Sequence, residues 1–443
     1  MPPAICIMRV VCFCLAACLL GSMFGLANVA WGAERLRVMI ETDAPGGDPD
    51  DEGSLVRFFL YLNEWDVEGI FCTRRADQSR NQEDGQQCLL RFIDAYAAAW
   101  PKLRQHAPGY PSPEKLRSIT YAAFRGTTAR DALIAAVDRE DPRRIWYVNW
   151  GTNDGNLTAM RQALDHVKAT RTEQAYRHFA DRLCFSRDAD RTYHVTEHIP
   201  YLHQWVDTRN PDRWYHRFAP LTAKAGGFDL TRDVKTGHGR LGSYYTIPKE
   251  GDTPGFMFLI PNGLSDVSHP DWGSWAGRFV PRTDRFRREG FFWSDARDQW
   301  NGQSNRDNTL RRWAVHLQND FKARLDWCVA DYAHANHPPV PMLNGSAGPS
   351  PVEIIAAPGE AVMLSSQGSS DPDQQGLSCE WIYYPEPGDY QGDVSIQGAR
   401  SPEAVVTLPG DADGKRVHVL LVLTDNGEPA LTRYRRAVIY CRR

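Results

Sequence analysis

Asp43, Asp48, Asp50, Asp51 and Glu52 crowd a glycine-rich turn, Glu41-Thr-Asp-Ala-Pro-Gly-Gly-Asp-Pro-Asp-Asp-Glu52. Carboxylates this close repel one another, and each raises its neighbour's cost of ionising. A hard cation relieves that repulsion: Ca2+ takes about six to eight oxygen ligands. A carboxylate beside such a cation is placed to take a proton from water. The plainer alternative is a solvated acidic loop at the start of a helix, where negative charge is favoured in any case.

The elements around the turn decide how it is presented. Arg35-Leu-Arg-Val-Met-Ile40 before it reads as a buried strand, and Ser54-Leu-Val-Arg-Phe-Phe-Leu-Tyr-Leu62 after it as a helix with its apolar face inward. Val67-Glu-Gly-Ile-Phe-Cys-Thr73 reads as a second strand. Strand, helix, strand on short connections favours a parallel pair with a right-handed crossover. In such open sheets, ligands bind beyond the carboxyl ends of the strands. Helices are expected from Gln86 to Trp100 and from Ala129 to Val137. A strand is expected over Arg144-Ile-Trp-Tyr-Val-Asn-Trp150, with a turn, Gly151-Thr-Asn-Asp-Gly155, and a helix from Leu157 behind it. Between about Thr170 and Glu250 periodicity fades, and irregular loops are expected. Phe256-Met-Phe-Leu-Ile260 reads as a further strand entered from Gly251-Asp252-Thr-Pro-Gly255. Asn308 to Asn336 reads as one long helix whose Leu310, Trp313, Leu317, Phe321 and Leu325 stripe is core.

The linker Asn336-His-Pro-Pro-Val-Pro-Met-Leu-Asn-Gly345 then changes the texture. Short alternating segments follow, among them Ala361–Ser366, Leu377–Tyr384, Ala404–Leu408 and Val417–Asp425, as in a β-sandwich expected to fold alone. Asp371 and Asp373 in Ser-Ser-Asp-Pro-Asp read as an Asx-type turn, with a second Ca2+ site as the sharper alternative.

The acidic turn with Asp43 and the pair Asp50-Asp51 resembles the N-terminal aspartate motif of nucleoside hydrolases. Four longer stretches are similar to a narrower family of secreted bacterial proteins named for a cellulose-binding member. They are Gly46-Gly-Asp-Pro-Asp-Asp-Glu-Gly-Ser-Leu-Val-Arg-Phe58, Leu60-Tyr-Leu-Asn-Glu-Trp-Asp-Val-Glu-Gly-Ile70, Glu250-Gly-Asp-Thr-Pro-Gly-Phe-Met-Phe-Leu-Ile-Pro-Asn-Gly-Leu264 and His269-Pro-Asp-Trp-Gly-Ser-Trp-Ala-Gly-Arg278. The resemblance implies an α/β, nucleoside-hydrolase-like domain with a mostly parallel central sheet over 34–336. It also implies an all-β immunoglobulin-like sandwich over 337–443. It implies Ca2+ held by Asp43, Asp51, Asp252 and the Thr158 carbonyl, with Asp50 as base. The gap between Asp43 and the Asp pair is longer than in nucleoside hydrolases, so Asp48 is an alternate ligand or base. Gly251 stands where those enzymes carry a histidine that protonates the nucleobase. Asn81, Asn153 and His238 are candidate substrate contacts. Trp272 and Trp275 are candidates for stacking on a sugar, with core packing as the alternative.

Composition narrows the class. Net charge is −4, so no basic footprint for nucleic acid is present. Residues 1–33 read as a signal peptide with an apolar run from Val10, which implies a periplasmic or secreted protein with no stable membrane insertion after cleavage. Leu15-Ala-Ala-Cys18 resembles a lipoprotein box, but the apolar run continues past Cys18. Cys72, Cys88, Cys184, Cys328, Cys379 and Cys441 follow the leader, with no CxxC pair for zinc. Taken together, the residues and the resemblance imply an exported calcium-dependent hydrolase of glycosidic bonds, N-glycosyl compounds included. The alternative is a non-catalytic cellulose- or polysaccharide-binding protein on the same scaffold. Its partner is a small glycoside or a polysaccharide.

Overall fold

The computed structural model describes residues 34–46, 49–79, 81–150, 158–186, 197–208, 218–282 and 292–443. The expected leader and its cleavage point lie outside the described residues.

The first domain is built on β1 (Arg37–Thr42), β2 (Asp66–Cys72), β3 (Thr120–Ala122), β4 (Ile145–Trp150), β5 (Leu183–Ser186), β6 (Gln204–Val206), β7 (Phe279–Arg282) and β8 (Phe292–Asp295). They form one sheet in the order β3-β2-β1-β4-β5-β6-β8-β7. Neighbours are parallel throughout, except that β7 runs antiparallel to β8. The chain starts at β1, winds outward to β3, then returns to β4 on the other side of β1. The strand order therefore reverses between β1 and β4, and a crevice opens beyond their carboxyl ends.

Both faces of this sheet are covered, which is why its central strands are apolar without alternation. Val38 and Ile40 point into one core with α1 (Asp50–Leu60) and α2 (Gly85–His106). Met39 points into the other, against α4 (Thr128–Asp138), α5 (Ala159–Thr170) and α6 (Glu173–Asp181), α3 being the short Pro113–Ser118 turn of helix. Two expectations change here. Phe256–Ile260, expected to be a strand, is not one: its start belongs to the helical turn Thr253–Met257, whose first positions Pro254 suits, and an apolar run buried all round carries no period to tell helix from strand. The single helix expected over 308–336 is broken into Asn308–Arg311, Ala314–Asp326 and a 3-10 turn at Tyr332–His334, although its Leu310, Trp313, Leu317, Phe321 and Leu325 stripe is buried as expected.

The hairpin β9 (Asp298–Trp300) and β10 (Gln303–Asn305) precedes the sandwich strands: β11 (Val352–Ala356), β12 (Ala361–Ser365), β13 (Leu377–Tyr383), β14 (Ser395–Gln397), β15 (Glu403–Thr407), β16 (Lys415–Asp425) and β17 (Thr432–Cys441). One sheet runs β11-β17-β16-β13 and the other β12-β15-β14. On β16, Val417, Val419, Leu421 and Leu423 fill the core between these sheets. Leu420 and Val422, on the opposite side, join the core of the first domain together with Tyr384 and Tyr434. Hence β16 reads as a long apolar run rather than an alternating strand.

Polar contacts fix this docking. Arg436 donates to the carbonyls of Leu264 and Trp272, both at 2.8 Å. Trp275 Nε1 donates to the Tyr434 hydroxyl at 3.2 Å. Asp320 lies between two arginines, with Oδ1 2.8 Å from Arg324 and Oδ2 2.8 Å from Arg433 of β17. The sandwich thus shares a buried face with the first domain. Expressed alone it would expose Leu420, Val422, Tyr384 and Tyr434 to water. All six cysteines named above are free thiols.

Burial alone would push the Asp320 carboxyl up, but Arg433 and Arg324 more than offset it and hold it at about 2. A depressed folded value means that the ion pair stabilises fully above the unfolded carboxyl's pKa of about 3.9, and that this is lost as pH falls toward 2. Asp320→Asn removes the carboxylate that two buried arginines share, Arg324 alone keeping a second carboxylate in Glu64, and should cost about 3–5 kcal/mol at neutral pH. Urea unfolding of wild type and variant at pH 7 and pH 3 checks this. The gap between the two should narrow at pH 3.

Candidate functional site

The acidic turn sits where the fold predicts a ligand. Thr42 ends β1, and α1 starts at Asp50, beyond the β1/β4 reversal. Asp50, Asp51 and Glu52 occupy the first turn of α1, where the helix dipole favours negative charge. Glu52 turns away and pairs with Arg91 at 2.9 Å. Asp50 and Asp51 are buried and meet Asp252, which arrives from a part of the chain about two hundred residues later. Carboxylate oxygens of Asp50, Asp51 and Asp252 lie within 4.8 Å of one another.

Asp252 is brought there by a buried anchor. Arg57, on α1, holds Glu250 through Nε at 2.5 Å and Nη2 at 2.9 Å, and both side chains are fully buried. Glu250 also accepts from the Tyr245 hydroxyl and, at 2.8 Å, from Thr253 Oγ1. Gln318 Oε1 takes a further Arg57 proton at 3.0 Å. The Ser54 hydroxyl contacts the backbone N of Asp252 at 3.3 Å and Thr253 Oγ1 at 3.2 Å. Close approach requires small residues. A Cβ on Gly53 would lie 2.5 Å from the Lys249 carbonyl oxygen, and one on Gly255 would lie 2.7 Å from Val148 of β4.

The electrostatics follow from this crowding. Burial first, then repulsion from Asp252, Asp43 and Asp50, pushes the Asp51 carboxyl well above the usual range. The Thr42 hydroxyl, 2.7 Å from Asp51 Oδ1, pulls the other way. The donor set is all hard oxygen, of the kind that suits Ca2+ rather than zinc. These residues fit such a cation: positive charge here offsets the burial and the mutual repulsion that raise the Asp51 carboxyl.

The other residues singled out in the sequence take varied places. Asp43 is near enough to act on Asp51, but its carboxylate pairs with Arg74 at 2.6 Å. Thr158 is buried at the N-cap of α5; its hydroxyl accepts from Arg161 N at 3.2 Å and its carbonyl from Gln162 N at 3.1 Å. Asn81 is exposed and contacts Glu83 and Ser79. His238 meets the Arg232 carbonyl at 2.9 Å and Asp326 at 3.2 Å, and the latter raises its pKa. Asp48 and Asn153 lie outside the described residues. Trp272 and Trp275 are both buried between the domains, Trp272 stacked on His269 at 4.0 Å. Core packing, not sugar stacking, is their role.

Sequence reasoning passed over Glu41 and the Arg57–Glu250 pair. Glu41 is buried on β1 and accepts from Ala159 N at 2.6 Å and the Tyr147 hydroxyl at 2.7 Å, which ties the start of α5 to the sheet beside Thr158. Arg57 had a signal: a cation on the apolar face of a helix needs a buried partner.

Comparison with known proteins agrees with this architecture. The family described as "Cellulose-binding Sde182, nucleoside hydrolase-like domain" matches residues 37–279, and "Cellulose-binding protein Sde0182, C-terminal domain" matches residues 361–441. A solved structure of a nucleoside hydrolase-related hypothetical protein from Saccharophagus degradans, described as associated with carbohydrate metabolism, is 32% identical. The match covers 92% of this chain and 100% of that one at a TM-score of 0.75. The PKD domain of a KIAA 1837 protein matches 22% of this chain and 92% of its own at 21% identity, with a TM-score of 0.16, too slight to speak to the fold. No curated protein matches the chain.

Gly53→Ala tests the close approach of α1 to the Asp252 segment. The added methyl should cost about 1–3 kcal/mol through overpacking and displace Asp252 from Asp51. Thermal unfolding together with calcium affinity checks this; both should fall.

Proposed function

The chain belongs to the family of the cellulose-binding protein Sde182, and on that premise we propose that it is an exported, calcium-dependent hydrolase of glycosidic bonds, N-glycosyl compounds among its substrates. The observation that carries this reading is the convergence of Asp50, Asp51 and Asp252 at the β1/β4 reversal of a nucleoside hydrolase-like domain. Asp51 and Asp252 are the carboxylates that would hold Ca2+, with the Thr158 carbonyl and Asp43 as further donors. When bound, Ca2+ supplies a fixed positive charge that makes a neighbouring water easier to deprotonate and orients sugar hydroxyls. Asp50, the third carboxylate of the cluster, would take the proton from the attacking water. The same carboxylates face the positive charge that develops on the sugar as the glycosidic bond breaks. Burial of the site excludes bulk water and strengthens each of these interactions.

Gly251 narrows the chemistry. It removes the histidine that protonates a nucleobase in nucleoside hydrolases, so the leaving group must depart with help from elsewhere or carry its own stabilisation. Export rests on the apolar leader, and no helix among the described residues is long and apolar enough to cross a membrane.

A second reading, a polysaccharide-binding protein without catalysis, is favoured by the cellulose-binding description of the family and by Gly251. A flat glycan-binding face wants a row of exposed aromatics. Among the described residues, Tyr332 is the one aromatic among the exposed large apolar side chains.

Asp50→Asn should leave calcium content unchanged and lower turnover about 100- to 10,000-fold, the usual loss on removing a general base. Asp51→Asn should lower calcium binding and turnover together. Elemental analysis beside assays on nucleosides and glycosides checks both. Calcium-loaded wild type that cleaves nothing yet binds insoluble cellulose hands the site to the second reading. Wild type that takes up no metal overturns the site assignment itself.

A further inference from the structure

A second concentration of oxygen lies at the seam between linker and sandwich, far along the chain from the acidic turn. Asp371 of the Ser-Ser-Asp-Pro-Asp turn, Gln375, Asp425 at the end of β16 and Asn336 of the linker meet around Gly427. Asp425 Oδ1 accepts from the backbone N of Gly427 at 3.0 Å, that of Leu431 at 2.9 Å and from Asn336 Nδ2 at 3.1 Å. Gln375 Nε2 donates to Asn336 Oδ1 at 2.6 Å, and its backbone N to Asp371 Oδ1 at 3.0 Å. A Cβ on Gly427 would collide with the Asn336 and Gln375 amides, so glycine is what lets these two amides close over the β16–β17 connection.

After every donor is used, three oxygens remain. Asp371 Oδ2, Gln375 Oε1 and Asp425 Oδ2 are buried and have no hydrogen-bond partner. Asp425 is only 4% exposed. A buried acceptor left unpaired is costly, and more so when it is charged. Burial first, and repulsion from Asp371, raises Asp425; burial first, and repulsion from Asp373, raises Asp371. Positive charge is scarce. His337 is the basic group facing Asp371, and it is already spent on Asp373, with Nδ1 at 2.9 Å and its backbone N at 2.7 Å. Asp373 is thereby removed from the set of free donors. The Asx-type turn is real, since Asp371 Oδ1 accepts from Asp373 N at 2.8 Å, but it uses only one of the two Asp371 oxygens.

We propose that this seam is a second cation site, at which Asp371 Oδ2, Gln375 Oε1 and Asp425 Oδ2 hold one Ca2+ and lock the 371–375 turn to the end of β16. The chemistry is that of a hard divalent ion: two carboxylates and an amide oxygen, with neither sulfur nor a free imidazole, and water to complete the shell. Its partners belong to the 371–375 turn and to the β16–β17 connection, which lie about fifty residues apart in sequence. Bound calcium therefore cross-links them and stabilises the folded chain by mass action.

The test uses the whole chain, stripped with chelator and titrated with CaCl2, for wild type, Asp371→Asn, Asp425→Asn and Asp51→Asn. Bound calcium per chain and the thermal midpoint are the readouts. Asp371→Asn keeps the acceptor that the turn needs, so it remains informative if Asp425→Asn fails to fold. The seam site should bind with a Kd of roughly 0.1–1 mM, as extracellular modules do, and Asp371→Asn should weaken it by about 100-fold. Asp371→Asn should bind one calcium fewer than wild type and lose part of the calcium-dependent rise in Tm. Wild-type stoichiometry and an unchanged Tm rise in Asp371→Asn overturn the proposal, as does a wild type that binds no calcium at all. If Asp51→Asn binds as much as wild type while Asp371→Asn binds one fewer, the acidic-turn assignment falls and the seam site stands.

Discussion

The buried pair Arg57–Glu250 is the constraint on which the site depends. Glu250 stands two residues before Asp252, and Arg57 stands two turns into the helix that begins with Asp50 and Asp51. One ion pair therefore sets the separation of carboxylates that are remote in sequence. A buried pair is a poor source of net stability, because desolvation offsets most of its attraction. Its value is positional. Bidentate guanidinium geometry, closed off by Tyr245, Thr253 and Gln318, leaves the Asp252 segment one way to lie. The three aspartates repel one another, so something must hold them together against that repulsion, and this network does.

The sandwich is bound into the same frame. The helix Ala314–Asp326 supplies Gln318 to Arg57 and Asp320 to Arg433, so it touches the site anchor on one side and the sandwich on the other. Tyr384, Leu420, Val422 and Tyr434 complete the first domain's core. The C-terminal module is thus a structural wall of the first domain as well as an appended fold.

Much of this was legible in the sequence, for reasons that differ by residue. The strand-turn-helix around Asp50 was readable because glycine, proline and clustered acids punctuate two apolar runs. Asp252 was readable only through resemblance; a lone aspartate before Thr-Pro-Gly signals a turn and nothing more. The strand expected at Phe256–Ile260 failed because complete burial erases the period that separates helix from strand. The burial of Trp272 and Trp275 was illegible since it depends on where the sandwich docks, a contact between segments 159 residues apart in the case of Trp275 and Tyr434. Asp425 drew no notice for the same reason: its neighbours Asn336 and Gln375 come from distant stretches of chain.

On the proposed function, Asp50, Asp51 and Asp252 are held together to share one cation. Anomalous diffraction from crystals grown with a heavier calcium mimic such as Tb3+ tests it most directly. A strong peak lying between these three carboxylates is expected. A map with no peak there, from crystals in which the three aspartates are well ordered, would contradict it.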